Sequence, residues 1–420
     1  MNWRVIFVVS AVFFGSLCVL QGADTTTSLH TPTVSIPTSL FGMHIHHMLA
    51  GAAQPTPWPA IPFGTWRLWD AYAAWPSVES EKGKWNFANV DKYVSIAEEH
   101  QVEILMPLAL SPAWASSRPE EKSGYSPGNA AEPRDLNDWR NYVRTVATRY
   151  KGRVHAYEIW NEPNLKNFYT GSPAQLVQLV SVAYQALKGI DPAIIVCSPA
   201  FTEAIGLSMF EQYLNAGGAR YADVIGYHLY VSPGPPEEMV GLIQQIREKM
   251  TRNGAANKPL WNTESGWEIQ NKQSVVKQGL SPEEAASYLA RAFVLSWASG
   301  VSRFYWYSWD NYASGLVDHD GKTLKSPAIA YGEIQKWLIG AWMDSCDTDA
   351  NGTWTCAISR DGGYRGWIVW NPARTLNLTL PGSWKVKQVR DLAGKTELPR
   401  PGSPSIPIGP SPVLLESQVP

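Results

Sequence analysis

Two glutamates stand in short polar segments that each follow an apolar, strand-like run. Glu162 lies in the segment WNEPN, and Glu264 lies in the segment NTESGW. Two carboxylates held by strands in one cleft can cleave a glycosidic bond, one acting as acid and base and the other as nucleophile. Carboxyl groups about 5 to 5.5 Å apart give retention of configuration, and a wider gap gives inversion. The pair therefore predicts a glycoside hydrolase.

The elements that position these glutamates repeat along residues 38–342, where strand-like runs alternate with helical periodicity. Eight strands are predicted, at Leu40–His46, Thr65–Trp69, Val102–Leu110, Val154–Trp160, Ile194–Ala200, Val224–Tyr230, Pro259–Thr263 and Arg303–Ser308. Helical segments are predicted between them, at Val90–His100, Leu136–Tyr150, Ala174–Ile190, Pro236–Arg252 and Pro282–Ser299. This α/β pattern predicts a (β/α)8 TIM barrel. The two glutamates then end the fourth and seventh strands, on the face where barrel active sites lie.

Residues 343–420 have a different character, with short strand-like runs divided by Asn-Gly, Asn-Pro and Pro-Gly breaks. They predict a small antiparallel, β-sandwich-like domain after the barrel. Its candidate strands are Thr353–Ser359, Gly366–Trp370, Leu376–Leu380, Lys385–Val389 and Val413–Leu415, and the Pro-rich residues 399–412 are expected to be extended. The tryptophans of this domain either pack its core or bind glycan independently. They are Trp354, Trp367, Trp370 and Trp384.

The first residues of the chain resemble an export signal. A short polar start with one arginine precedes the apolar run Val5–Leu20, after which the sequence becomes rich in Thr, Ser and Pro. This pattern predicts a signal peptide over residues 1–23, followed by an extended segment over residues 24–37. An uncleaved N-terminal anchor is the alternative, and it is the one membrane contact expected. In both cases the protein is expected to be secreted or periplasmic.

Cysteine usage agrees with export. Cys346 and Cys356 flank Asp-Ala-Asn-Gly, a hairpin-turn signal, so a disulfide across the two arms is predicted, with two free thiols as the alternative. No Cys/His spacing indicates a metal site, and no cofactor is expected.

Charge and aromatic content indicate the kind of partner. Lysine and arginine total 35 and aspartate and glutamate total 37, which excludes a strongly basic surface for nucleic acid. The chain has 20 tryptophans and 18 tyrosines, whose flat apolar rings with polar edges suit a carbohydrate substrate.

The segment WNEPN after a fourth strand, together with Thr-Glu after a seventh, resembles clan A retaining glycoside hydrolases. Family 39 is the most similar, with family 5 as an alternative, and a small β-sandwich after the barrel is also a family 39 trait. The resemblance implies that Glu162 is the acid/base and Glu264 the nucleophile in a double displacement on a plant or microbial polysaccharide or oligosaccharide. The sequence Thr-Glu-Ser-Gly-Trp departs from the shorter Thr-Glu-Trp type of the xylosidases in that family, so the substrate stays open.

The same resemblance implies roles for neighbouring residues. Asn161 would bind the sugar 2-hydroxyl, and Arg67 on the second strand would orient the nucleophile. An inner ion pair of Arg67 with Glu158 or Asp70 is the alternative reading. On the sixth strand His228 and Tyr230 share one face and would hydrogen-bond the catalytic carboxylates.

Aromatic residues and histidines at strand ends are further substrate-binding candidates. On the eighth strand, Trp306 is expected to form the floor under the reacting sugar, and because side chains alternate, Trp309 cannot face inward with it from a regular strand. His44 and His46 on the first strand either contact sugar hydroxyls or are core histidines. Trp114 and Trp267 are possible platforms for outer sugars.

Two other functions use the same residues. A transglycosidase would pass the glycosyl unit to a sugar acceptor rather than water, and a catalytically silent barrel would only bind carbohydrate. Whether action is exo or endo depends on loops such as 111–133, which either close the cleft into a pocket or leave a groove. Sugar identity, linkage and oligomeric state stay open.

Overall fold

The computed structural model describes residues 26–49, 55–270, 279–399 and 405–418. The predicted signal peptide lies outside these residues. Within them, no helix is both long enough and apolar enough to cross a bilayer.

After the short strand β1 (Thr27–Ser28), the chain builds a parallel sheet of nine strands. These strands are β2 (Phe41–Met43), β3 (Thr65–Arg67), β4 (Glu103–Leu108), β5 (Ala156–Ile159), β6 (Ile195–Cys197), β7 (Phe201–Thr202), β8 (Ile225–His228), β9 (Leu260–Ser265) and β10 (Val301–Trp306). Their order in the sheet is β6-β5-β4-β3-β2-β10-β9-β8-β7. Each predicted strand of the α/β region overlaps one of them.

The two end strands of this order, β6 and β7, are close neighbours along the chain. Cys197 at the end of β6 forms a parallel bridge with Val224, and the Ser198 amide donates to the Val224 carbonyl at 2.9 Å. Asn161 bridges to Ala200 in the same way on the other side. The sheet is therefore strongly curled, with its two ends near one another.

Helices follow the strands and cover the outside of the sheet. They are α1 (Trp75–Val78), α2 (Ala88–Glu99), α3 (Leu136–Arg149), α4 (Pro173–Ile190), α5 (Leu207–Asn215), α6 (Glu238–Arg252), α7 (Pro282–Ala298) and α8 (Ser326–Leu338). The start of α7 is fixed by a capping box, in which Ser281 Oγ accepts from the Glu284 amide and the Glu284 carboxylate accepts from the Ser281 amide. Such caps contribute about 1 kcal/mol each. All five predicted helices are present, whereas α1, α5 and α8 had no sequence prediction.

Alternate side chains of β10 face two different layers. Phe304 stacks on Phe293 of α7, with ring centroids 4.5 Å apart, so it faces the helices. Tyr305 lies in a separate cluster inside the curl of the sheet, together with Trp261 of β9. Because side chains alternate along a strand, Trp306 shares the helix-facing side with Phe304.

The rest of the chain forms a separate antiparallel sheet of seven strands in the order β1-β11-β12-β13-β18-β15-β16, and β14 pairs with β17. The strands are β11 (Trp342–Thr348), β12 (Trp354–Arg360), β13 (Tyr364–Trp370), β14 (Leu376–Thr379), β15 (Gln388–Arg390), β16 (Thr396–Glu397), β17 (Ser405–Ile408) and β18 (Val413–Glu416). Part of the predicted extended N-terminal segment thus joins this sheet as β1, because Thr27 pairs with Thr348.

A disulfide and buried tryptophans hold the antiparallel sheet together. Cys346 of β11 is bonded to Cys356 of β12, which confirms the predicted pairing across the hairpin. Trp354 stacks on Trp370, and the Trp370 indole donates to Glu237 in the loop before α6 at 2.8 Å. Trp367 is also buried and stacks on Trp384. These contacts assign the tryptophans to packing rather than to independent glycan binding.

Candidate active site

Glu162 and Glu264 meet at the carboxyl end of the parallel sheet. Glu264 lies within β9, whereas Glu162 lies just beyond β5, where its amide donates to the Ala200 carbonyl at 2.8 Å. The side chains are largely buried, with residue exposures of 8% for Glu162 and 7% for Glu264. One oxygen of each glutamate and one ring nitrogen of His228 all lie within 4.8 Å of one another. The fold therefore unites two carboxylates that are far apart in sequence.

The Glu264 carboxylate is held by a cation and a hydroxyl. Arg67 Nη1 donates to Oε2 at 2.8 Å, and the Tyr230 hydroxyl donates to Oε1 at 2.9 Å. Burial raises the pKa of Glu264, while the positive charge of Arg67 and the hydrogen bond from Tyr230 act to lower it. Both oxygens thus receive donors that favour the ionised form.

Arg67 connects three acceptors at the bottom of this cleft. Besides Glu264, its Nε donates to Glu158 Oε2 at 2.7 Å and its Nη2 donates to Asn161 Oδ1 at 2.7 Å. The orienting role and the inner ion pair with Glu158 therefore coexist in one fully buried guanidinium. Asp70, the other partner considered for Arg67, instead accepts a hydrogen bond from the Tyr125 hydroxyl at 2.6 Å. Because Asn161 Oδ1 is engaged, its amide NH2 is the group that can reach a sugar hydroxyl.

Glu162 has a neutral partner instead. His228 Nδ1 lies 2.9 Å from Glu162 Oε1, and burial lowers the pKa of His228 to about 4, so the ring is uncharged near neutral pH. Burial likewise raises the pKa of Glu162 to about 7. A carboxyl group with that pKa can hold a proton at neutral pH and release it during a reaction.

Trp306 does not line the cleft. It is fully buried, and its ring centroid lies 5.8 Å from that of Trp267, which packs edge-on against Tyr288 of α7. The prediction that Trp306 forms the floor under the sugar is therefore wrong, because Trp306 faces the helices. Trp267 belongs to the same layer, with an exposure of 3%, so it is no outer platform either.

Tyr307, the next residue, supplies the aromatic ring beside the glutamates. Its ring centroid lies 5.2 Å from that of His44 and 5.0 Å from that of His46. Burial raises the pKa of Tyr307 well above its ordinary value, and the charges of Asp70 and Glu264 raise it further. Tyr307 thus has the position that we expected a tryptophan to take, and strand alternation from Tyr305 could have identified it.

His44 and His46 lie beside Tyr307. His44 Nε2 donates to the Thr263 carbonyl at 3.1 Å, and burial lowers the pKa of His44 well below its ordinary value. Burial also lowers the pKa of His46, whose backbone amide donates to Asp310 at 2.8 Å. Both are neutral rings at the edge of the cleft, and their contact with sugar stays a prediction.

Trp114 and Trp309 have structural contacts. The Trp114 indole donates to the Glu79 carbonyl at 2.9 Å, and its ring packs edge-on against Trp75. Trp309 has an exposure of 2%. Trp309 is too buried to stack on a substrate, and half-buried Trp114 is held against the loop after α1.

Two acidic residues near the cleft were given no role towards the substrate by sequence reasoning, which considered Asp70 only as an ion-pair partner of Arg67. Asp310 accepts the backbone amides of His46 and His47, and Asp70, held by Tyr125, follows β3 in a left-handed conformation with φ 57°. A carboxylate two residues after the eighth predicted strand was the available signal for Asp310. Nothing in the sequence marked the pairing of Asp70 with Tyr125.

Glu162, His228 and Glu264 also have the donor types of a metal site. However, the Arg67 guanidinium lies 2.8 Å from Glu264 Oε2, and its positive charge opposes a second cation on that carboxylate. The arrangement suits proton transfer and nucleophilic attack better than metal binding.

Comparison with curated proteins finds beta-xylosidases among the similar proteins. A beta-xylosidase from Geobacillus stearothermophilus is 25% identical over 229 residues, which cover 48% of this chain and 43% of that protein. A beta-xylosidase from Caldicellulosiruptor saccharolyticus is 26% identical over 153 residues, covering 34% of this chain and 31% of that protein. The matched region thus spans less than half the length of these relatives.

Solved structures share the fold over most of the chain. A family 39 glycoside hydrolase from Bacteroides cellulosilyticus WH2 superposes with a TM-score of 0.70 at 20% identity, covering 90% of this chain and 81% of the other. A family 39 beta-xylosidase from Caulobacter crescentus superposes with a TM-score of 0.63 at 18% identity, covering 92% of this chain and 98% of the other. The model of the glycosyl hydrolases family 39 matches residues 66–278, slightly more than half of the 420 residues and including both glutamates. This chain therefore belongs to glycosyl hydrolase family 39.

Proposed function

We propose that this protein is a retaining glycoside hydrolase that works by double displacement. The observation that carries the proposal is the pair of buried carboxylates, whose nearest oxygens lie within 4.8 Å and whose partners differ in charge. Retaining enzymes hold their carboxyl groups about 5 to 5.5 Å apart, because no water has to fit between the nucleophile and the sugar.

In the first step, Glu264 attacks the anomeric carbon while Glu162 donates its proton to the leaving oxygen. Arg67 and Tyr230 hold the attacking carboxylate in place. The pKa of Glu162, raised to about 7, lets the acid hold its proton up to about pH 7. The amide NH2 of Asn161 would donate to the sugar 2-hydroxyl, a contact that strengthens in the transition state.

In the second step, a water molecule attacks the glycosyl-enzyme bond. Glu162 is now ionised and accepts a proton from that water, which restores the acid, while Glu264 leaves as a carboxylate. Neutral His228 can donate from Nδ1 to the ionised Glu162, since these atoms are 2.9 Å apart. Glu162 thus acts as acid in the first step and as base in the second, because the neutral ring of His228 adds no fixed positive charge that would hold it in the ionised form.

The substrate class that we propose is a β-linked, xylan-type carbohydrate. Both curated relatives described above are beta-xylosidases, and the family 39 structure from Caulobacter crescentus carries the same description. Because the sequence after Glu264 departs from the xylosidase type, the assay below compares four sugars.

We further infer that the curled parallel sheet acts as a closed eightfold barrel. Strands β6 and β7 would be successive parts of one staggered strand, because β6 pairs with β5 and β7 pairs with β8. The bridge between Cys197 and Val224 supports this reading. Closure would put β5 and β9 across the mouth from one another, as two opposed carboxylates require.

We propose that the protein acts outside the cytoplasm. The disulfide between Cys346 and Cys356 supports this, since such bonds persist in oxidising compartments. Secretion would bring the enzyme to polymeric substrate.

The test is an assay of the purified chain on 4-nitrophenyl β-xyloside, β-glucoside, β-galactoside and β-mannoside, with proton NMR of the first sugar anomer released. We expect the β anomer first and no measurable turnover by Glu264→Ala. Release of the α anomer first, or normal turnover by the variant, would refute it. Transfer to an added sugar acceptor instead of water would identify the transglycosidase alternative.

A further inference from the structure

A row of aromatic rings leads from the cleft to the surface. We call it the aromatic track, and consecutive ring centroids along it are 5.0, 6.1, 5.2 and 4.8 Å apart for Tyr307, His46, His47, Tyr312 and His319. The inner end lies beside the glutamates. Tyr312 has an exposure of 54%, although its ring contacts both His47 and His319.

The track is built on two loops that are clamped together. Asp310 accepts the backbone amides of His46 and His47 at 2.8 and 2.9 Å, and the Asp310 carbonyl lies 3.1 Å from His47 Nδ1. Farther along, Lys325 Nζ donates to the Gly315 carbonyl at 2.8 Å and anchors the end of the second loop. The rings are therefore preorganised, which lowers the entropy lost when a ligand binds.

The position of the track decides which part of a substrate can reach it. The leaving group must lie against Glu162, because this residue protonates the glycosidic oxygen. The track follows β2 and β10, and β10 is the fourth strand from β5 in the sheet order. A sugar on the track is thus attached to the retained, glycone side of the cleaved bond.

We propose that the aromatic track is a second glycone subsite, which binds the sugar unit next to the one that is cleaved. This inference rests on the proposed hydrolase function. The apolar C–H face of a pyranose would stack on Tyr312, and the imidazoles of His47 and His319 would meet its hydroxyls. The enzyme then prefers chains of at least two sugars before the cleaved bond to single terminal sugars.

The test compares 4-nitrophenyl β-xyloside with 4-nitrophenyl β-xylobioside, which share the leaving group and differ by one glycone sugar. Release of nitrophenol gives kcat/KM for each. The wild-type protein is expected to prefer the xylobioside by about tenfold or more, and Tyr312→Ala is expected to remove most of that preference. Equal kcat/KM values in the wild type, or a preference that Tyr312→Ala keeps, overturn the subsite.

Tyr72→Ala is the matched control. Tyr72 is also an exposed tyrosine, at 41%, but it follows β3 and has no ring contact with the track among the described residues. Its substitution is expected to leave the ratio of the two kcat/KM values unchanged. An equal fall in the ratio would show that the effect is not specific to the track and would count against the subsite.

A binding measurement separates the subsite from the hydrolase proposal. If the wild-type protein cleaves neither glycoside, the proposed xylan-type substrate fails, and calorimetry of xylotetraose with Glu264→Gln then decides the subsite. Binding that weakens about tenfold on adding Tyr312→Ala supports it. Binding of equal strength in both proteins, or no binding at all, overturns it.

Discussion

The two sides of the cleft treat a buried glutamate in opposite ways. On the β9 side, Glu264 receives donors from a guanidinium and a phenol. On the β5 side, Glu162 faces a histidine that burial keeps neutral, with a pKa lowered to about 4. The same side chain is therefore supported as an anion in one place and allowed to carry a proton in the other. The surroundings of each glutamate, rather than its residue type, therefore decide which one acts as acid and which as nucleophile.

The largest effect is expected from Glu264→Ala. Removing the nucleophile leaves no group that can form the glycosyl-enzyme bond, so kcat should fall by about four orders of magnitude or more. Steady-state rates on 4-nitrophenyl β-xyloside measure it. Glu268→Gln is the control, since this exposed glutamate lies four residues farther along the chain, in the loop after β9. Comparable losses in both variants would deny Glu264 a special role.

A smaller loss is expected from Glu162→Gln, because the nucleophile remains. General acid catalysis typically contributes about 10²- to 10⁴-fold, and an activated leaving group needs less of it. The first-step rate should therefore fall far more for an alkyl xyloside than for a 2,4-dinitrophenyl xyloside, as pre-steady-state kinetics can resolve. Equal losses on both substrates would contradict the assignment of Glu162 as the acid.

The pH profile of the wild-type protein follows from the raised pKa of Glu162. The group is protonated below about pH 7 and loses its proton above it. Since the first step needs the protonated form, kcat/KM should fall about tenfold per pH unit on the alkaline side. This alkaline limb should be absent in Glu162→Gln. A limb that persists in the variant would have to come from another group.

The mildest change is expected from Tyr230→Phe. The variant loses one hydrogen bond to Glu264 and keeps the ring, so kcat/KM should fall about fivefold. That hydrogen bond favours ionised Glu264, so its removal raises the pKa of Glu264 and moves the acidic limb to higher pH. The alkaline limb should stay in place. A shift of the alkaline limb alone would indicate that Tyr230 acts on Glu162 rather than on Glu264, which would contradict the assignment.

Much of this contrast was readable from the sequence. The two glutamate segments mark strand ends, and a single charge in the apolar strand around Arg67 indicated an inner partner. The His-x-Tyr spacing predicted one shared face, and His228 and Tyr230 do contact the two carboxylates. Local pattern was sufficient because each of these residues lies on or at the end of a regular strand.

The aromatic residues were harder to place. Alternation separates Trp306 from Tyr307, but which of the two faces the cleft depends on Phe304 packing against Phe293 of α7, a contact between distant segments. The pKa of Glu162 was equally hidden, since burial depends on every loop around the mouth. No role was predicted for Tyr312, because its ring neighbours lie on two loops that come together only in the folded sheet.

The most direct test of the difference between the two glutamates is to trap the covalent intermediate. Incubation with 2,4-dinitrophenyl 2-deoxy-2-fluoro-β-xyloside should slow the second step, and peptide mass spectrometry should then locate the sugar. We predict one fluoroxylosyl group per chain, attached to the peptide that contains Glu264. Attachment to Glu162, or turnover of the parent xyloside with no trapped sugar on either glutamate, would contradict the account.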